Sequence, residues 1–150
     1  MNKKRLMMLV ELLEKLPRKR FDYSTWVGET WGGKPDLSCG TTACALGWAT
    51  TIPCLRRAGL RLEHRGENQR QVTLPSGESG EWAGAKVFDI SDEEALFLFM
   101  PNVTGSVERQ DDGSYKERFT WSSPPEKATP KQVAKHIRRF IKAKEKELAR

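Results

Sequence analysis

Proline and glycine residues divide this chain into short segments, and their positions decide which elements can form. Proline removes a backbone donor and clashes with the preceding turn, so a helical pattern ends where a proline follows it. The leucine pattern of residues 2–16 therefore ends before Pro17, and an apolar run ends before Pro101. Pro53 ends a third pattern, and clustered glycines break residues 28–38 into a loop. The chain is thus predicted to consist of short elements joined by turns.

Apolar residues that recur every three to four positions predict four to five helices. The predicted helices cover residues 2–16, 39–51, 82–88, 93–100 and the C-terminal segment from residue 129. Ser91 and Glu94 form a capping box, in which each side chain binds the other residue's backbone amide. Thr129 and Gln132 repeat this box, with Pro130 at the first helical position. These local signals predict where the last two helices begin.

Two pairs of short alternating segments predict β-hairpins. The paired segments are residues 60–64 with 71–74, and residues 106–110 with 115–119. In the second hairpin Gly113 supplies the positive φ that the turn requires. We therefore expect a single α+β domain over residues 1–150, with residues 122–128 as a linker to a C-terminal basic amphipathic helix.

Charge is distributed unevenly along the chain. The net charge of +6 combines a basic start, with seven Lys and Arg against two Glu in residues 1–20, and a basic end, with nine against two in residues 127–150. The middle carries ten basic and sixteen acidic residues. Two interpretations stay open: the basic ends contact a polyanion, or they fold back and neutralise the acidic body.

The sequence favours a cytoplasmic protein. The apolar run after residues 2–5 is interrupted by Glu11 and Glu14, which argues against a signal peptide. No stretch is long and apolar enough to span a membrane, so we predict no membrane partner. Three cysteines are an odd count without an export signal, so we interpret them as free thiols in a reducing compartment.

Neither a nucleotide cofactor nor a metal is predicted. Residues 28–34 match a phosphate-binding loop up to the position where Ser or Thr should bind the metal, and that position is Pro35. Zinc ligands usually come in pairs two to four residues apart, whereas Cys39 and Cys44 are five apart. Cys54 and His64 are also possible ligands, but they are not close enough in sequence to any of these residues to form such a pair.

Cys39 is the candidate for nucleophilic catalysis. It precedes Gly40 at the predicted start of a helix, where the helix dipole and unpaired amides favour a thiolate. His64 and His136 are the possible bases. However, no Gln precedes residue 69 to build an oxyanion hole of the papain type, and His136 is predicted to lie on the polar side of its helix. The catalytic set is therefore incomplete.

The C-terminal helix and the tryptophans are the candidate partner-binding elements. The residues predicted to contact a partner are Lys131, Lys135, Arg138, Arg139, Lys142, Trp26 and Trp31. No aromatic residue is interleaved among the basic residues of the helix, so contact with nucleic acid there would be directed at the backbone and sensitive to salt.

Three segments of the chain resemble a group of small uncharacterised proteins of phages and bacteria. The segments are Phe21-Asp22-Tyr23-Ser24-Thr25-Trp26, Cys39-Gly40-Thr41-Thr42-Ala43-Cys44-Ala45-Leu46-Gly47-Trp48-Ala49, and Asp89-Ile90-Ser91-Asp92-Glu93-Glu94-Ala95-Leu96-Phe97-Leu98-Phe99. The similarity extends in order over roughly residues 20–145. It implies an origin in a phage or mobile element, and it marks residues 39–48 as the signature of the fold.

Three hypotheses of function follow from these features. The preferred one is a small cytoplasmic accessory or regulatory protein that binds a protein or ribonucleoprotein target, as an inhibitor does. The first alternative is a cysteine-dependent hydrolase or transferase with Cys39 as nucleophile. The second alternative is a nonspecific nucleic-acid binder that works through its basic terminal helices.

Overall fold

The computed structural model describes residues 1–23, 43–64, 70–105 and 107–150. The helices in this part of the chain are α1 (Lys3–Lys15), α2 (Ala45–Ala49), α3 (Pro53–Arg57), α4 (Glu81–Phe88), α5 (Asp92–Phe99) and α6 (Pro130–Leu148), with a short 3-10 helix at Arg18–Arg20. The strands are β1 (Arg61–His64), β2 (Arg70–Thr73), β3 (Val107–Arg109) and β4 (Tyr115–Glu117). The predicted α+β class is confirmed, and one helix more is present than predicted because residues 53–57 form a helix of their own.

The first helix forms one wall of the core. Asn2 caps α1 by accepting a hydrogen bond from the backbone amide of Arg5 at 3.1 Å. Leu6, Leu9 and Leu13 recur at helical spacing and are fully buried. The helix ends at Lys15, before Pro17, as the sequence predicts.

The last helix packs against the first, and this is the most extensive contact between helices in the described part of the chain. The capping box predicted for Thr129 and Gln132 is present at the start of α6. The residues that α6 buries are Pro130, Val133, Ala134, His136, Ile137, Phe140 and Ile141. This apolar face closes the core over α1.

The helix predicted over residues 39–51 is wrong in its extent. Within the described residues α2 begins only at Ala45, because the backbone of Cys44 is extended. The Cys44 sulfur caps the helix by accepting a hydrogen bond from the Gly47 amide at 3.5 Å. Pro53 does not follow a continuous helix; it stands at the first position of α3, where proline is well tolerated. Residues 43–49 are all buried.

Helices α4 and α5 pack against each other. Gly84 of α4 allows a close approach to both α2 and α5, since a Cβ there would lie 3.0 Å from Leu46 and 3.1 Å from Phe99. The rings of Phe88 and Phe99 pack with centroids 5.5 Å apart. The capping box predicted for α5 is also confirmed.

Both predicted hairpins are present as antiparallel pairs. Strand β1 pairs with β2 in the register Leu62 opposite Val72, and β3 pairs with β4 in the register Glu108 opposite Lys116. Gly113 has φ +82°, in agreement with the predicted turn.

Residues 122–128 lead into α6 and are held to the segment after α5. The Ser123 hydroxyl accepts from the Val103 amide at 2.7 Å and donates to the Met100 carbonyl at 2.8 Å. Ala128 is buried. These contacts fix the position from which α6 starts.

None of the described helices combines the length and the apolar character that crossing a bilayer requires.

Candidate functional site

Several of the predicted site residues lie outside the described part of the chain. Cys39, Trp26 and Trp31 fall in residues 24–42, and the side chain of His64 is likewise not described. The backbone of His64 ends strand β1, opposite Arg70. The hypothesis of a Cys39 nucleophile therefore stays a prediction.

Cys44 is buried and chemically passive. Burial raises the pKa of its thiol to about 12, despite the hydrogen bond from the Gly47 amide. The group is therefore a neutral thiol near pH 7, which is a poor nucleophile and a poor metal ligand. Cys54 is the other free thiol in the described residues, and its sulfur contacts that of Met8 at 3.2 Å. The described residues contain no cluster of His, Cys, Asp and Glu suited to a metal ion.

His136 is buried, so the prediction that it lies on the polar side of α6 is wrong. Its Nε2 lies 2.8 Å from the Phe97 carbonyl oxygen, and its Nδ1 lies 3.2 Å from the indole nitrogen of Trp121. The indole can only donate, so Nδ1 accepts and Nε2 carries the proton. Burial lowers the pKa of this imidazole. With both nitrogens engaged, His136 has no lone pair free to act as a base.

An aromatic cluster surrounds this histidine. The Phe97 ring stacks on Phe119 with centroids 4.9 Å apart, and it meets the His136 ring edge-on at 4.6 Å. Trp121 packs against Phe119 at 4.9 Å and carries the Arg139 guanidinium over its outer face at 4.0 Å from the ring centroid. This cluster anchors the first half of α6 to α5 and to the chain after β4.

Two of the cations of α6 are engaged in its docking. Arg138 forms a two-pronged ion pair with Glu14 of α1, at 2.8 and 3.0 Å. Lys144 reaches the buried carboxylate of Glu94 at 2.6 Å, and Arg118 reaches the same oxygen at 2.8 Å. The contact of Lys144 with Glu94 folds the basic end back onto a carboxylate of the acidic middle, whereas the pair of Arg138 with Glu14 joins the two basic ends to each other.

The other cations of α6 form one exposed face, which we call the basic face. Its members are Lys131, Lys135, Arg139, Lys142 and Lys146. At 100° per residue they occupy an arc of about 80° on the side opposite the buried residues. Within the described ranges, no carboxylate lies within ion-pairing distance of any of them. Of the predicted contact residues on this helix, Arg138 alone stands outside the face.

The predicted partner contacts omit two exposed residues. Lys146 was placed among the cations of the last helix, four residues after Lys142, but not among the contacts, and it belongs to the basic face. The apolar pattern of residues 82–88 predicts that Trp82 lies on the same side of α4 as Ala83 and Val87. This prediction is wrong, because Ala83 and Val87 are buried whereas Trp82 is 52% exposed. Lys86, four residues after Trp82, shares its exposed side.

The chain matches no protein-family model, no curated protein sequence and no solved structure. The assignment of a function therefore depends on the geometry of the described residues.

Proposed function

We propose that this chain is a small accessory binding protein that captures an acidic surface of a protein or ribonucleoprotein through the basic face of α6. The observation that carries the proposal is the division of cations on this helix. Arg138 and Lys144 are paired with carboxylates, whereas the five members of the basic face are exposed and form no ion pair with a described carboxylate, although Arg139 also lies over the Trp121 ring. Unpaired like charges on one rigid element steer an oppositely charged partner toward it.

The dimensions of the face fit a folded partner. Lys131 and Lys146 are separated by 15 residues of continuous helix, which corresponds to about 22 Å. Because α6 is fixed to α1 and α5 along its other side, these cations are held in place before binding, which reduces the ordering cost of association.

A folded acidic partner accounts for the face better than unpaired nucleic acid does. Proteins that hold single strands stack the bases on exposed aromatic rings. Among the described residues, the Trp121 ring contacts the basic face, and the Arg139 guanidinium covers it at 4.0 Å from the ring centroid. The face therefore offers charge without a described platform for bases.

The chemistry of the described residues supports a binding role over catalysis. His136 has both ring nitrogens engaged, and the Cys44 thiol is buried and protonated. The unpaired state of Cys44 and Cys54 supports action in a reducing compartment such as the cytoplasm. The resemblance to small proteins of phages and bacteria supports an accessory, inhibitor-like role in a mobile element.

The test compares three polyanions as probes: poly-L-glutamate, single-stranded RNA and duplex DNA, the last two about 20 nucleotides long. We expect the chain to bind poly-L-glutamate at about 50 mM salt, with an affinity that falls as salt is added. The variant Lys135→Glu with Lys142→Glu should bind about tenfold more weakly, because it replaces two attractive charges by repulsive ones.

The matched control is Arg61→Glu with Lys116→Glu, which changes the net charge equally at exposed positions outside α6. This control should bind as the unmodified chain does. Equal loss in both variants would reduce the effect to net charge and contradict the proposal. Tighter binding of RNA or DNA than of poly-L-glutamate would favour the nucleic-acid alternative, and no binding of any probe would remove the basic face as a contact surface.

A further inference from the structure

An open apolar groove lies between the second half of α1 and the connection from α2 to α3. Its volume is about 500 Å³. The apolar residues that line it are Met8, Leu12, Leu16, Trp48, Ile52 and Pro53. Leu12 belongs to α1, the helix that α6 covers on its other side, and Leu16 follows directly after it, yet both are only partly buried. Apolar side chains aligned along an exposed groove are typical of a binding surface.

The walls of this groove are rigid. The indole nitrogen of Trp48 donates to the Arg20 carbonyl at 2.8 Å, and the Arg20 guanidinium stacks over the indole at 4.7 Å from its centroid. The Thr51 hydroxyl donates to the Trp48 carbonyl at 2.7 Å. Because both walls are held by contacts within the chain, an occupant meets a preformed surface and loses little affinity to reordering.

The length of the groove matches a short amphipathic helix. Met8 and Lys15 both line the groove and are seven residues apart on α1, which corresponds to about 10 Å. A partner helix that presents apolar residues at positions i, i+4 and i+7 covers about the same distance.

The charges around the groove indicate the polarity of its occupant. Among the described residues that line it, Glu11 and Lys15 are the charged ones. Arg18 and Lys19 follow Pro17, at the end of the groove, and both are exposed. Three cations against one carboxylate favour acidic side chains on the flanks of the occupant, since charge complementarity selects among otherwise similar apolar surfaces.

We propose that the groove between α1 and the α2–α3 connection is a docking site for an amphipathic helix of a partner protein whose flanks are acidic. This site is separate from the basic face, because its described lining comes from residues 8–17 and 48–53 and includes no residue of α6. Either surface can therefore be disabled while the other is kept.

The test uses a labelled synthetic peptide of about 15 residues as the probe, with leucines at i, i+4 and i+7 and with glutamates on the flanks. Two further peptides serve as comparisons: one carries lysine in place of each glutamate, and the other carries alanine in place of each leucine. Fluorescence anisotropy measures the dissociation constants. We expect the acidic leucine peptide to bind at least about tenfold more tightly than either comparison.

Two variants of the chain locate the binding. Leu12→Asp places a charge on the partly exposed wall and should abolish binding of the acidic peptide. Lys15→Glu with Arg18→Glu should weaken this binding about tenfold and should reduce the preference over the lysine peptide. The matched control is Arg61→Glu with Lys116→Glu, which changes the net charge equally at exposed positions outside both surfaces and should leave peptide binding unchanged. Circular dichroism establishes that each variant is folded, and the charge variant keeps the test decisive if Leu12→Asp does not fold.

Four outcomes would overturn the proposal. They are absence of peptide binding at about 1 mM, equal binding of the acidic and lysine peptides, self-association of the chain that Leu12→Asp abolishes, and capture by anionic lipid vesicles in preference to the peptide. The third outcome would make a second copy of this chain the occupant, and the fourth would assign the groove to a membrane surface. None of them bears on the basic face, which the poly-L-glutamate experiment tests separately.

Discussion

The two faces of α6 differ in what their residues contact, although both belong to one uninterrupted helix. The inner face places His136, Ile137 and Phe140 against α1, α5 and the aromatic cluster. The outer face carries the cations of the basic face, which have no described ionic partner. Arg138 shows that position decides the role of a cation: it is basic like its neighbours, but it lies at the edge of the inner face and pairs with Glu14. The abundance of Lys and Arg on a helix therefore does not by itself define a binding site.

The largest expected difference between the two faces is in stability. Phe140→Ala removes a fully buried ring that packs on Phe119 at a centroid distance of 5.3 Å, and it should lower the free energy of unfolding by about 3–5 kcal/mol. Lys142→Ala, two residues later on the outer face, should change it by less than about 0.5 kcal/mol. Urea denaturation of both variants measures the contrast, and similar losses would show that the two faces are not distinct.

The next largest expected effect is a loss of stability on removal of the Glu94 carboxylate, which joins the end of α6 to α5. Glu94 is 2% exposed and accepts from Arg118 and Lys144, and it also closes the capping box of α5. Glu94→Ala leaves Arg118 and Lys144 with Glu147 as their remaining described carboxylate. It should cost about 2–3 kcal/mol because the buried acceptor shared by two cations and the capping box of α5 are lost together. Glu93→Ala is the control, since that neighbour is exposed. A loss no larger than that of the control would mean that the network adds nothing to stability.

The smallest effect depends on pH and concerns His136. Its folded-state pKa lies below the ordinary value of 6.5, so the unfolded chain binds a proton more readily than the folded chain does. The contribution of the neutral imidazole is therefore complete above about pH 6.5 and is lost as the pH falls below it, at most about 1.4 kcal/mol per pH unit. Protonation also turns Nδ1 into a donor that faces the Trp121 donor.

Unfolding measured between about pH 7.5 and pH 5.5 checks this dependence, because most carboxylates stay ionised over this range. His136→Leu should be less stable at the upper end and should have a flatter profile. His64→Gln is the matched control, since the chain contains only two histidines. If the control flattens the profile instead, the pH dependence belongs to the other imidazole.

Elements that carry their own local signals could be predicted from the sequence. The capping boxes at Ser91 and Thr129 were predicted correctly because their hydrogen bonds join residues three positions apart. The turn at Gly113 was correct because only glycine takes its positive φ without strain. Both predictions required nothing from the rest of the chain.

Elements that depend on distant neighbours were the ones predicted wrongly. The segment around Cys44 is rich in small residues, which suit both a helix and a buried extended segment, and its packing decides between the two. His136 was assigned to the polar side because Lys135 and Arg138 flank it, yet it lies three residues after Val133 and four before Phe140, both of which are buried. That spacing was the better guide.

The candidate binding surfaces could be predicted only in part. The basic residues of the last helix were recognised from composition, but the separation of Arg138 from the basic face required knowledge of its pairing with Glu14. The groove along α1 could not have been found, because its second wall comes from residues 48–53 and depends on how α2 and α3 turn back toward the first helix.

The packing of α6 on α1 has a consequence for synthesis of the chain on the ribosome. Leu6, Leu9 and Leu13 are translated more than a hundred residues before α6, the helix of residues 130–148 that packs against α1. Nascent chains fold as their segments appear, so this leucine stripe stays available to chaperones until α6 emerges. A stalled product that lacks the last helix would consequently be a target for proteolysis.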